Sequence, residues 1–147
     1  MKSMQLSLRQ RGFTLIELLV VLVILGLLAS LAGPKVISYL GGAKSDTARL
    51  QIEEFGVTLD LFKLETGRYP TTQEGLQGLV QSPPGLAGWN GPYLKKKTIP
   101  KDPWGNDYRY VSPGQHGSYD ISSLGADNKE GGDSENKDIL GWEDSKK

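Results

Sequence analysis

Gly12-Phe13-Thr14-Leu15-Ile16-Glu17 sets a single carboxylate at the start of an apolar run. Across residues 13–33 every side chain is apolar or small except Thr14, Glu17 and Ser30, and Pro34-Lys35 closes the run. A helix needs about 20 such residues to cross a bilayer, at ~1.5 Å rise each, so this stretch is long enough to span one. A carboxylate held in hydrocarbon costs on the order of 3 kcal/mol on insertion scales, so an acid kept there ordinarily has a partner and a task. Glu17 is therefore the first candidate functional residue. It sits only one turn inside the run, so snorkelling to the membrane surface is a rival reading that these residues alone leave open.

Upstream, residues 1–12 carry Lys2, Arg9 and Arg11 and no acid. The positive-inside bias keeps those charges cytoplasmic, which predicts one crossing with the carboxyl-terminal bulk on the far side. An ordinary secretory signal places its small-residue cleavage site after the apolar core. Here the small residue, Gly12, comes before it. Cleavage between Gly12 and Phe13 would leave the apolar helix in the mature chain, with a new amine on Phe13 four residues from Glu17. The reading divides the chain into a leader (1–12), a transmembrane and assembly helix (13–34) and a single further domain (35–147).

That domain holds roughly a hundred residues, enough for one small core. Formal net charge is +0 and the basic cluster is limited to Lys95-Lys96-Lys97, so the electrostatic footprint of a nucleic-acid binder is missing. The chain has 0 Cys, which removes disulfides, thiol nucleophiles and thiolate metal sites together. A small domain without disulfides needs another staple, and a bound metal is one of the few available. The single His, His116, lies in a Gly-flanked turn with no adjacent nucleophile, so the sequence offers no catalytic constellation.

Beyond the apolar run, Pro34 and Gly41-Gly42 predict a weak zone in the helix, because proline removes a backbone hydrogen bond and glycine costs about 1 kcal/mol against Ala. Ser45 offers an N-cap for a second helical segment over residues 48–64. There Ile52, Phe55, Leu59 and Phe62 follow at alternating steps of three and four, one apolar face of an amphipathic helix. Core packing against a sheet is the reading of that face, with a partner-binding stripe as the alternative. Gly67 is placed as a C-cap. Thr71 or Thr72 is placed as the cap of a short helix running through Leu76 to Val80, stopped by Ser82-Pro83-Pro84-Gly85. Asp102-Pro103-Trp104-Gly105-Asn106-Asp107 makes a turn into a strand at residues 108–111, with residues 118–123 as its antiparallel partner across Pro113-Gly114. Two strands alone are marginal, so the helix must cover one face. The expected class is α+β: a long N-terminal helical stem, membrane-spanning in its first half, packed on a small antiparallel sheet.

Residues 123–138 concentrate oxygen ligands among glycines. Calcium takes six to eight oxygens from carboxylates, amides, carbonyls and water, and glycines let a backbone fold around it. The spacing does not fit an EF-hand, since Lys129 stands where that pattern needs Asp or Asn. By composition a solvated acidic loop is the competing reading.

The run Arg11-Gly12-Phe13-Thr14-Leu15-Ile16-Glu17-Leu18-Leu19-Val20-Val21 resembles the class III signal of type IV pilins and type II secretion pseudopilins. In that superfamily a membrane prepilin peptidase cuts after the Gly and methylates the new amine. The acid matching Glu17 pairs with that amine on a neighbouring subunit. Gly67-Arg68-Tyr69-Pro70-Thr71, Gln73-Glu74-Gly75-Leu76, Asp102-Pro103-Trp104-Gly105 and Tyr119-Asp120 resemble the major, G-type pseudopilins of type II secretion systems. Pilins proper usually close a carboxyl-terminal loop with a Cys pair, which is missing here.

This resemblance implies a structural subunit, not an enzyme, polymerising through its N-terminal helix into a periplasmic filament that promotes export of folded exoproteins across the outer membrane. It implies a single-pass protein of a Gram-negative inner membrane. The implied partners are further copies of the chain, minor pseudopilins, inner-membrane assembly proteins and the prepilin peptidase, with no nucleic acid. It also implies calcium in the acidic loop, held by Asp127, Asp138 and the carbonyl of Leu124, with Asp133, Ser134 and Asn136 contributing from its variable middle and Glu130 and Glu135 facing solvent. The rival readings are a type IV or minor pilin of a surface fibre and, from another class, a membrane-tethered calcium-dependent enzyme.

Overall fold

The computed structural model describes residues 12–143. The basic leader residues Lys2, Arg9 and Arg11 lie outside the described residues. One helix, α1, runs over Leu15–Thr66, and the chain divides into two units after Ile37. In the first unit the helix contains a window of mean hydropathy 2.8, none of it buried. It is long and apolar enough to cross a membrane, as expected from its composition.

The weak zone does not interrupt α1: Pro34 lies inside the helix, as do Gly41 and Gly42. Restarting a helix means forming a new nucleus, so a lost donor and two poor formers are tolerated within an already propagating ladder. Ser45 is correspondingly not an N-cap. Its hydroxyl donates to Gly41 O at 3.1 Å, one turn back in the same helix. The far end matches expectation: Gly67 adopts φ 82°, and its N–H donates to Lys63 O at 2.8 Å. That left-handed cap is cheap for glycine alone.

In the second unit, Ala48, Ile52, Phe55, Leu59 and Phe62 of α1 are buried, so the apolar stripe is core. Full burial of side chains the size of Ile52, Phe55, Leu59 and Phe62 contributes about 1.5–3 kcal/mol each. Thr58 joins them because its hydroxyl is satisfied by Glu54 O at 2.6 Å. The strands are β1 (Arg109–Val111), β2 (Asp120–Ser123) and β3 (Ile139–Leu140), in the antiparallel order β1-β2-β3. Tyr110 pairs with Ile121 and Ser123 with Ile139, so Tyr110, Ile121 and Ile139 join the helix stripe in one core. Phe55 and Tyr108 meet edge to face at 5.2 Å between centroids.

The third strand is absent from the sequence reading, since two residues carry no period to detect. The short helix is also different: Leu76–Leu79 is a 3-10 turn with Gly75 before it and no side-chain cap. Thr71 instead caps the preceding turn reciprocally. Its Oγ1 accepts from Glu74 N at 3.2 Å, while its own N–H donates to Glu74 Oε2 at 2.8 Å.

Candidate functional site

At the start of α1 the Thr14 backbone N–H donates to Glu17 Oε2 at 3.2 Å and its hydroxyl to the same oxygen at 3.3 Å. Glu17 N returns a hydrogen bond to Thr14 Oγ1 at 3.2 Å. This is a capping box, which satisfies helix N-terminal donors that otherwise have no partner. Thr14-Leu15-Ile16-Glu17 carries the T-x-x-E signature, a signal the sequence reading passed over. The carboxylate thus has partners within its own chain. Phe13, the residue whose amine cleavage would free, is 82% exposed just ahead of it.

The acidic loop closes between β2 and β3. Ala126 N donates to Glu135 O at 2.8 Å, clipping its two legs together. Asp127 Oδ1 accepts from Lys129 N at 3.2 Å, and Asp138 Oδ2 from Gly131 N at 2.9 Å. Ser134–Asn136 form a 3-10 turn with Asp133 at its start, and Leu124 precedes the turn at Gly125. The predicted ligands therefore share one loop, yet among the described residues no three Asp, Glu or His side chains are gathered as a metal-holding group. One atom is out of balance: Asp138 Oδ1 is buried without a hydrogen-bond partner. Leaving a buried acceptor unpaired costs about 1–3 kcal/mol, more when it is charged, and a carboxylate oxygen is the kind of ligand that a hard cation takes.

Glu130 is exposed as expected, but Glu135 does not simply face solvent. Glu135 Oε2 accepts from Trp104 Nε1 at 3.2 Å and lies 3.7 Å from Lys44 Nζ of α1. Its stem occupies the space a side chain at Gly41 would fill, since a Cβ there would stand 2.7 Å from Glu135 Cγ. Glu130 is paired with Arg109. A long apolar–polar stem can always find such a shelf, and its position depends on the fold rather than on local pattern.

Asp102 is the other residue the sequence reading missed. It is 4% exposed, and it accepts from Trp104 N at 3.1 Å, Asn106 N at 2.8 Å and Ser123 Oγ at 2.6 Å. Asn106 Nδ2 then donates to Gly125 O at 2.9 Å. The turn around Trp104 is thereby joined to the first leg of the acidic loop.

Two further side-chain pairs lie on the surface. Arg68 holds Glu74 through Nη1 at 2.7 Å and Nη2 at 2.8 Å, and this bidentate hydrogen bonding pulls the Glu74 carboxyl down to about 2. His116 is exposed as expected, but it stacks on Trp142 at 4.3 Å and meets Asp120 Oδ2 at 3.0 Å. Desolvation works to raise the Asp120 carboxyl, and the contacts from His116 and the Gln115 and His116 amides outweigh it, so its pKa is lowered.

A family model described as type II secretion system (T2SS), protein G, matches residues 35–142, most of the chain. The chain belongs to the type II secretion system protein G family. The prokaryotic N-terminal methylation motif matches residues 7–33, which include Gly12, Phe13 and Glu17. Among protein G relatives, the type II secretion system core protein G of Pseudomonas aeruginosa is 48% identical over 139 residues, covering 92% of this chain and 96% of its own. The core protein G of Vibrio cholerae is 44% identical, with 97% and 96% covered. A crystal structure of the major pseudopilin from enterohaemorrhagic Escherichia coli matches with a TM-score of 0.59 at 33% identity, covering 69% of this chain and 88% of that one. The protein G fold accounts for the long helix and small antiparallel sheet found here.

Proposed function

We infer that this chain is the major structural subunit of a type II secretion pseudopilus and that Glu17 guides its assembly. The observation that carries the reading is an unburied apolar helix, opened by the Thr14–Glu17 box inside a methylation motif and followed by a protein G domain. Cleavage after Gly12 would free the amine of Phe13, which methylation leaves cationic. Glu17 then exchanges its Thr14 partners for the Phe13 amine of an adjoining copy, trading neutral donors for an opposite charge in a medium of low dielectric. Packing many stems this way is a heterologous, non-closing contact and so builds a filament.

The chain spans the inner membrane once, with residues 35–147 in the periplasm. Its role is structural, and its partners are copies of itself, minor pseudopilins, inner-membrane assembly proteins and the prepilin peptidase. Calcium in the acidic loop would supply the positive charge that the buried Asp138 Oδ1 lacks. Asp127 and Asp138 would hold it with the Leu124 carbonyl, and Asp133, Ser134 and Asn136 would add oxygens from the 3-10 turn.

Deleting the gene from its host should leave exoproteins in the periplasm and clear them from the medium, with wild-type protein restoring export. Undiminished export from the deletion strain would contradict the assignment.

A further inference from the structure

Glu135 stands in the middle of the leg that carries Asp133, Ser134, Asn136 and Asp138, and it is held from three sides. Its carbonyl accepts from Ala126 N at 2.8 Å, tying it to the opposite leg of the acidic loop. Its carboxylate accepts from Trp104 Nε1 at 3.2 Å and pairs with Lys44 Nζ at 3.7 Å. Its stem lies on α1 where Gly41 leaves no Cβ, at a spot where an added Cβ would come within 2.7 Å. Gly125, on the first leg, is equally close: a Cβ there would lie 2.7 Å from Glu135 O. These contacts leave the second leg little freedom to shift without moving the Glu135 side chain against the helix.

We propose that Glu135 is the positioning residue through which cation occupancy of the acidic loop is felt by α1 at Gly41 and Lys44. The inference rests on the reading of that loop as a calcium site. A cation that draws Asp127, Asp133 and Asp138 inward fixes the leg between them, and a fixed leg holds Glu135 in the Gly41 notch. The coupling is reciprocal: whatever keeps Glu135 seated on α1 also favours the cation-bound loop. Gly41 acquires a purpose that helix propensity alone does not give it, since a side chain there would expel the carboxylate.

The test is amide hydrogen exchange at residues 41–45 of the detergent-solubilised full chain, with calcium and with chelator, alongside a direct calcium titration. In the wild type, calcium should slow exchange at these amides several-fold. Glu135→Ala should still bind calcium, with affinity weakened several-fold, while exchange at residues 41–45 loses its response to the ion. Gly41→Ala, which keeps every loop residue but displaces the Glu135 stem, should produce the same uncoupling and the same several-fold weakening of calcium affinity. Glu135→Gln, which keeps an acceptor for Trp104 and the same stem, should retain part of the response. A purely structural role would change exchange equally with and without calcium. An equal calcium response in wild type and Glu135→Ala, or none in a calcium-bound wild type, overturns the coupling alone. A wild type that binds no calcium overturns both the coupling and the metal reading.

Discussion

Replacing Asp102 by Ala removes an acceptor from Trp104 N, Asn106 N and Ser123 Oγ at once. The site is almost sealed, at 4% exposure, so water cannot take over the three donors. A hydrogen bond to a charged group contributes about 1.5–3 kcal/mol, and three on one carboxylate do not add independently, so the loss should be about 3–5 kcal/mol. That is a large share of the roughly 5–15 kcal/mol that holds a domain folded. In thermal terms it amounts to on the order of 15–30 °C for a domain of this size. Asp102→Asn should be far milder, about 1–2 kcal/mol, because its oxygen still serves the two backbone amides and its amide can donate to Ser123 Oγ. Tryptophan fluorescence during heating of the detergent-solubilised chain reads the result, since Trp89, Trp104 and Trp142 all lie in the second unit. An Asp102→Ala variant melting within about 3 °C of wild type would refute the reasoning, as would equal melting of the Ala and Asn variants.

Two further outcomes are expected. Excess chelator should lower the melting temperature of the wild type, because an ion bound only to the folded form adds about 2.7 kcal/mol at a hundredfold excess over its Kd, and Asp138→Asn should abolish that difference; superimposable curves with and without chelator would count against the metal reading. The Arg68 pairing lowers the Glu74 carboxyl from its ordinary 4.5 to about 2, so its contribution is fully present above pH 4.5 and is lost as pH falls from there towards 2. Glu74→Gln should therefore flatten part of the acid limb of a stability–pH curve while changing little below about pH 2, and an unaltered acid limb would show that the pair contributes nothing.

The apolar run, the core stripe at Ile52, Phe55, Leu59 and Phe62, the Gly67 cap and the pairing of β1 with β2 were legible because each rests on a local period or on one residue's backbone preference. The uninterrupted passage of α1 through Pro34, Gly41 and Gly42 was not, because local propensity is read residue by residue whereas a helix propagates cooperatively. Asp102 and Glu135 escaped for a different reason. Their partners lie 21 residues away at Ser123 and 31 at Trp104, distances over which no spacing rule operates. The loop's composition pointed to Asp138, but only the fold shows that one of its oxygens is buried without a donor. Glu17 stood out in the sequence as a costly acid, and its bonds to Thr14 show where that carboxylate rests within its own chain.

The proposed exchange of the Glu17 carboxylate from Thr14 to a neighbouring Phe13 amine is tested most directly by Glu17→Ala, produced with the secretion assembly proteins and scored by electron microscopy for filaments. Membrane insertion and cleavage after Gly12 should proceed as in wild type, and filaments should be absent. Filaments of normal number and length from Glu17→Ala would contradict the account.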